Sequence, residues 1–146
     1  MAAKSREELL ATIICGKSLE VWDCKWEPVA GGFSADHMDL VGVPGLARAV
    51  LKDQVMYILR ATERRGLQKG LQRIKGRDQT GNSGFGAQMI REHIDALKLE
   101  ILPVPASEGS VECIFKLKSR MIDLHNPVWD KAHQKRLKAL KSGNLG

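Results

Sequence analysis

The sequence predicts a single α+β domain, mostly helical, with a small antiparallel sheet or β-hairpin. Three observations carry this. The chain has 146 residues, the size of one domain, and shows no internal repeat, low-complexity tract or linker. Apolar residues recur at helical spacing through most of its length. Three shorter stretches instead read as strands, which places β structure among the helices.

Taken in order, Ser5-Arg6-Glu7-Glu8 matches a capping box, and the helix it opens carries Leu9, Leu10, Ile13 and Ile14 before Gly16 stops it. From Ser18 to Glu27 the pattern alternates as a strand, with Trp22, Cys24 and Trp26 on one face. Ser34 caps a short helix to Leu40. Pro44 opens a longer one, whose face is Leu46, Val50, Leu51, Val55, Ile58 and Leu59. A basic helix follows over 67–75, then a glycine-rich loop over 76–86, then a helix over 84–98. Leu99 to Val104 and Val111 to Lys118 read as the strands of a hairpin. Asn126-Pro127 caps a last helix to about Lys141, and residues 142–146 should fray. Over 44–118 this order is similar to that of a winged helix-turn-helix. That resemblance implies a third helix, Ser83 to Lys98, offering Gln88 and Arg91 to a major groove.

Charge gives the functional lead. Residues 1–59 carry a net charge of −2, and residues 60–146 carry +8. The densest run holds Arg60, Arg64, Arg65, Lys69, Arg73, Lys75 and Arg77 against the single acid Glu63. On a helix Arg65, Lys69 and Arg73 form one i, i+4, i+8 row, where like charges repel by about 0.2–0.5 kcal/mol per pair. An external anion would relieve that repulsion. The last helix repeats the theme with Lys131, Lys135 and Lys138. Between these segments, backbone N–H groups at Gly84 and Gly86 suit phosphate at a helix start. The expected partner is therefore a nucleic acid, bound without catalysis. A duplex is favoured over a single strand, because only 5% of residues are aromatic and stacking platforms are few. An acidic protein surface is the alternative partner.

Other classes find less support. Gly81 to Gly86 has P-loop spacing, but Ala87 and Gln88 stand where Lys and Ser/Thr are required. Leu40 to Ala47 faintly resembles a helix-hairpin-helix, with Pro44 where that motif needs a donor. Asp36, His37 and Asp39 are the one candidate centre for a metal-dependent hydrolase or nuclease, and the spaced partners of such a site do not follow. No cofactor motif is found. Cys15, Cys24 and Cys113 form no CxxC pair, and their odd number and wide spacing argue against a disulfide framework and for a reducing compartment. Leu9 to Ile14 is too short and too poorly flanked to be a leader or a membrane span, so a cytoplasmic or, in a nucleated cell, nuclear protein is expected.

Overall fold

A computed structural model describes residues 5–62, 66–75, 84–105 and 111–142. The sheet orders the molecule. Strands β3 (Glu27–Pro28), β4 (Gly45–Leu51), β5 (Gln54–Ala61) and β6 (Lys98–Pro103) lie in the order β3-β6-β4-β5, and every neighbouring pair is antiparallel. A two-residue ladder, β1 (Ile13–Ile14) with β2 (Lys17–Ser18), stands apart from it. The helices are α1 (Arg6–Ala11), α2 (Leu19–Asp23), α3 (Gly66–Lys75), α4 (Phe85–Glu92), α5 (Val111–His125) and α6 (Lys131–Ser142), with a 3₁₀ turn at Met38–Leu40. The α+β class therefore holds.

Helices cover both faces of the sheet, and each face has its own core. Leu46, Val50, Ile58 and Leu102 pack with α1, α2 and α5. Ala47, Ala49, Leu59 and Leu99 pack with α3, α4 and Trp129. This explains the largest departure from expectation, since residues 44–59 form a β-hairpin and not a helix. β4 is buried on both sides, so its apolar residues run continuously instead of alternating. The hairpin turns at Lys52-Asp53, both with positive φ as a type I′ turn requires, but without the usual Asn-Gly signature.

Val111–Lys118 is likewise helical. It opens α5, whose buried positions Ile114, Leu117, Met121 and Leu124 repeat at three and four. The order over 44–118 is thus strand, strand, helix, helix, strand, helix, which is not that of a winged helix. The Ser18–Glu27 stretch is α2 and its flanks: Trp22 is buried, and its indole donates to the Ile14 carbonyl. The Ser5 capping box forms as expected, though α1 ends at Ala11 and Ile13–Ile14 pair as a strand. α3 begins at Gly66 with φ +63, where a Cβ would overlap the backbone of Val43. The last helix starts at Lys131, capped by the Asp130 carboxylate on the His133 N–H, rather than at Asn126. Of residues 142–146, expected to fray, Ser142 instead ends the last helix and the other four lie outside the described residues.

Two tethers hold the α5 face. A polar network joins α2, β4, β6 and the end of α5: Asp23 accepts from His125 at 2.6 Å, and Arg48 donates to Glu100 at 2.7 Å. Burial alone would raise the Asp23 pKa, but the His125 and Trp26 hydrogen bonds and the charges of His125 and Arg48 outweigh it, and the carboxyl titrates below its usual range. The second tether is a disulfide between Cys15 and Cys113, whose Cα atoms are 6.2 Å apart. It overturns the expectation of unpaired cysteines and ties the β1–β2 hairpin to the first turn of α5. Cys24 is free and exposed. No helix of the described residues is long and apolar enough to cross a membrane.

The bridge spans 98 residues, and closing a loop of that length stabilises the fold by about 4–5 kcal/mol. Urea unfolding with and without a reductant should show a drop of that order, and Cys113→Ser should lose the difference. Equal midpoints in both conditions would contradict the tether.

Candidate nucleic-acid interface

The functional geometry gathers at the outer edge of β5. A bulge opposite Ala49 and Val50 leaves Met56 without a partner on β4. The Met56 carbonyl accepts a hydrogen bond from the Trp129 N–H at 2.8 Å, so the α5–α6 connection is anchored there. This anchoring sets Asp130 near Tyr57 and Lys131 over the Phe85 ring.

Tyr57 is half-buried on the α3–α4 face of the sheet. α4 approaches it because Gly86 has no side chain: a Cβ there would overlap the Tyr57 ring. Arg60, three residues along β5, points to the other face and lays its guanidinium 4.1 Å from the centroid of the Phe115 ring on α5. Lys118 follows Phe115 by one helical turn. Across the edge, the Lys131 ammonium sits 4.1 Å from the centroid of the Phe85 ring, at the start of α4. A cleft of about 200 Å³ lies against this edge, walled by Tyr57, Arg60 and Arg73 and floored by the small residues Gly66, Gly70 and Ala87. The small floor residues are what leave room for it.

The electrostatics of the group are coupled. Burial pushes the Lys118 ammonium below its ordinary pKa, and the Arg60 charge pushes it further, with Asp130 opposing. Burial and the Asp130 carboxylate raise the Tyr57 phenol, with Arg60 opposing. The half-buried Lys118 is held near the exposed Arg60, and the Asp130 carboxylate acts on both Lys118 and Tyr57.

Of the residues singled out in the sequence, Arg60, Arg73, Gly86 and Lys131 meet here. Lys69 lies a turn from Arg73 on α3 and lines a shallower depression beside Asp36 and Gln72. Lys135 and Lys138 continue the exposed side of α6 away from Lys131. Gly84 caps α4 and is exposed, as is Gln88. Arg91 is occupied otherwise: its guanidinium donates to the Ile74 carbonyl in the last turn of α3 at 3.2 Å. Arg64, Arg65 and Arg77 lie outside the described residues, as does the side chain of Lys75. The row Arg65–Lys69–Arg73 is described only at its last two members.

Sequence reasoning missed Tyr57, Lys118, Asp130, Phe85 and Phe115. Tyr57 is the sole tyrosine of the chain, a signal that was open to view. Lys118 had none, because only the fold brings it to Arg60.

The alternative centre at Asp36, His37 and Asp39 has a different character. His37 is buried, adopts φ +52, and its Nε2 lies 2.5 Å from the Gly32 carbonyl, so it braces the loop. The Asp36 carbonyl accepts from Gln68 and Gln72. Among the described residues no three His, Cys, Asp or Glu side chains are grouped to hold a metal. His133 is also buried, with its Nε2 2.8 Å from Asn126 Oδ1. Compared with known protein families, curated proteins and solved structures, the chain matches none.

With one tyrosine, alkaline titration followed at 295 nm reads Tyr57 alone. The midpoint should lie above the ordinary phenol value near 10. Asp130→Asn keeps a capping oxygen for α6 and removes the charge, so it should bring the midpoint down without restoring the ordinary value, since burial remains. A midpoint unmoved by Asp130→Asn would contradict the coupling.

Proposed function

We propose that this is a small non-enzymatic nucleic-acid-binding protein whose phosphate site is the cation-ringed cleft at the edge of β5. The observation that carries the reading is Lys118. A fold gains nothing by half-burying an ammonium beside a guanidinium, since both desolvation and repulsion oppose it. A phosphate held at this edge between Arg60 and Lys118 would offset both through charge-assisted hydrogen bonds, with Arg73 on the wall of the adjoining cleft. The Tyr57 phenol fits the same role. Its raised pKa keeps the O–H on the oxygen, where it donates to a phosphate and serves poorly as a base or nucleophile.

Lys131, Lys135 and Lys138 extend the cationic surface from the cleft along α6, over about 10 Å of helix. The reach suits a polymer of phosphates better than a single ion. An acidic protein segment is the rival occupant, and its spaced carboxylates neutralise neighbouring cations less densely than a row of phosphates does. The Asp36–His37–Asp39 arrangement gives the hydrolase alternative no support.

Lys118→Met separates this role from a structural one. The substitution keeps the volume and removes the buried charge, so the urea midpoint should stay or rise. Anisotropy with a labelled oligonucleotide should give a wild-type Kd of about 10⁻⁴–10⁻⁶ M at physiological salt, with a log–log salt slope near −0.7 to −0.9 per phosphate held. Lys118→Met should weaken binding about tenfold, the worth of one charge-assisted hydrogen bond. A variant that binds as wild type, a flat salt response, or equal affinity for polyglutamate would each overturn the reading.

A further inference from the structure

We infer that the nucleic acid taken at this site is single-stranded, with its bases against Phe85 and Phe115. The inference rests on the phosphate site proposed above and adds the class of nucleic acid. All seven aromatic residues of the chain lie in described segments. Trp22, Phe33 and Trp129 are buried, and Trp26 and Tyr57 are half-buried. The two that remain exposed are Phe85 at 37% and Phe115 at 44%. Both flank the β5 edge, Phe115 from the α5 side and Phe85 from the α4 side. Phe115 lies under Arg60, and Phe85 adjoins Gly86, which touches Tyr57.

Each exposed ring carries a cation, Arg60 on Phe115 and Lys131 on Phe85, both at 4.1 Å. Exposed aromatic rings, each with a cation over one face, suit a strand whose bases are free to stack against ring or guanidinium while its phosphates are neutralised. A duplex hides the faces of its bases and would leave both phenylalanines without a partner. The scarcity of aromatics in the composition pointed to duplex, but what decides is where the exposed ones stand. The groove-reading alternative is weakened as well. α4 has eight residues, and its Arg91 is held by the Ile74 carbonyl.

Anisotropy with three labelled probes of equal phosphate count tests this: a single strand, a blunt hairpin duplex and an abasic strand. Wild-type protein should prefer the single strand over the other two by at least about fivefold, the lower bound for one stacked base. The Phe85→Leu/Phe115→Leu variant keeps apolar volume and loses the π faces. It should lose the preference, so that its three affinities converge, while its urea midpoint stays near that of wild type. Equal or tighter duplex binding by wild type, or a preference unchanged in the variant, would overturn the inference. In those outcomes a loss of affinity for all probes in Lys118→Met would leave the phosphate site standing. Absence of binding to every probe would remove the phosphate site and this inference together.

Discussion

The hydrogen bond from the Trp129 N–H to the Met56 carbonyl is the joint on which the site depends. An edge strand presents unpaired backbone groups, and β5 is one of the two outer strands of the sheet. At the bulge the strand directs one carbonyl to the α5–α6 connection. That contact brings residues 129–131 from the far end of the sequence to the middle of β5. Trp129 is buried on the α3–α4 side, where its ring stands 5.2 Å from His93, and Asp130 caps α6. Arg60 and Lys131 belong to segments more than seventy residues apart. They share a surface because this connection is pinned.

Two features of the site run against simple stability. Lys118 is half-buried against a like charge, and two phenylalanines stay exposed, each beneath a cation. Both stand along the edge of β5, Lys118 and Phe115 on the α5 side and Phe85 on the α4 side. Departures of this kind concentrate where a surface has work other than folding. The other polar cluster of the molecule, Asp23–Arg48–Glu100–His125, has the opposite character. Its charges alternate in sign, its hydrogen bonds are short, and its effect is to bind four elements together.

The sequence carried the α+β class, the Ser5 capping box, the basic helix α3, strand β6 and the charge split. The hairpin at 45–61 was hidden because a strand buried on both faces has no period of two, and because Lys52-Asp53 takes positive φ without glycine. The helical nature of 111–125 was legible only past Lys118, where Met121, Ile122 and Leu124 complete the spacing of Ile114 and Leu117. For the site, local charge density pointed to Arg60, Arg73 and Lys131. It equally pointed to Arg91, which the fold uses to cap α3. Tyr57, Lys118 and Asp130 come from three separate segments, and no local pattern joins them. The disulfide was missed for the same reason, since cysteine count says nothing about which pair the chain brings to 6.2 Å.

The most direct test places a reporter inside the cleft. The single tyrosine allows 3-fluorotyrosine to be incorporated at Tyr57 alone, which gives one ¹⁹F resonance. Titration with an oligonucleotide should shift that resonance saturably, with the same Kd as anisotropy, and the shift should weaken in parallel with added salt. Binding by anisotropy that leaves the Tyr57 resonance unmoved would place the nucleic acid elsewhere on the protein and contradict the account.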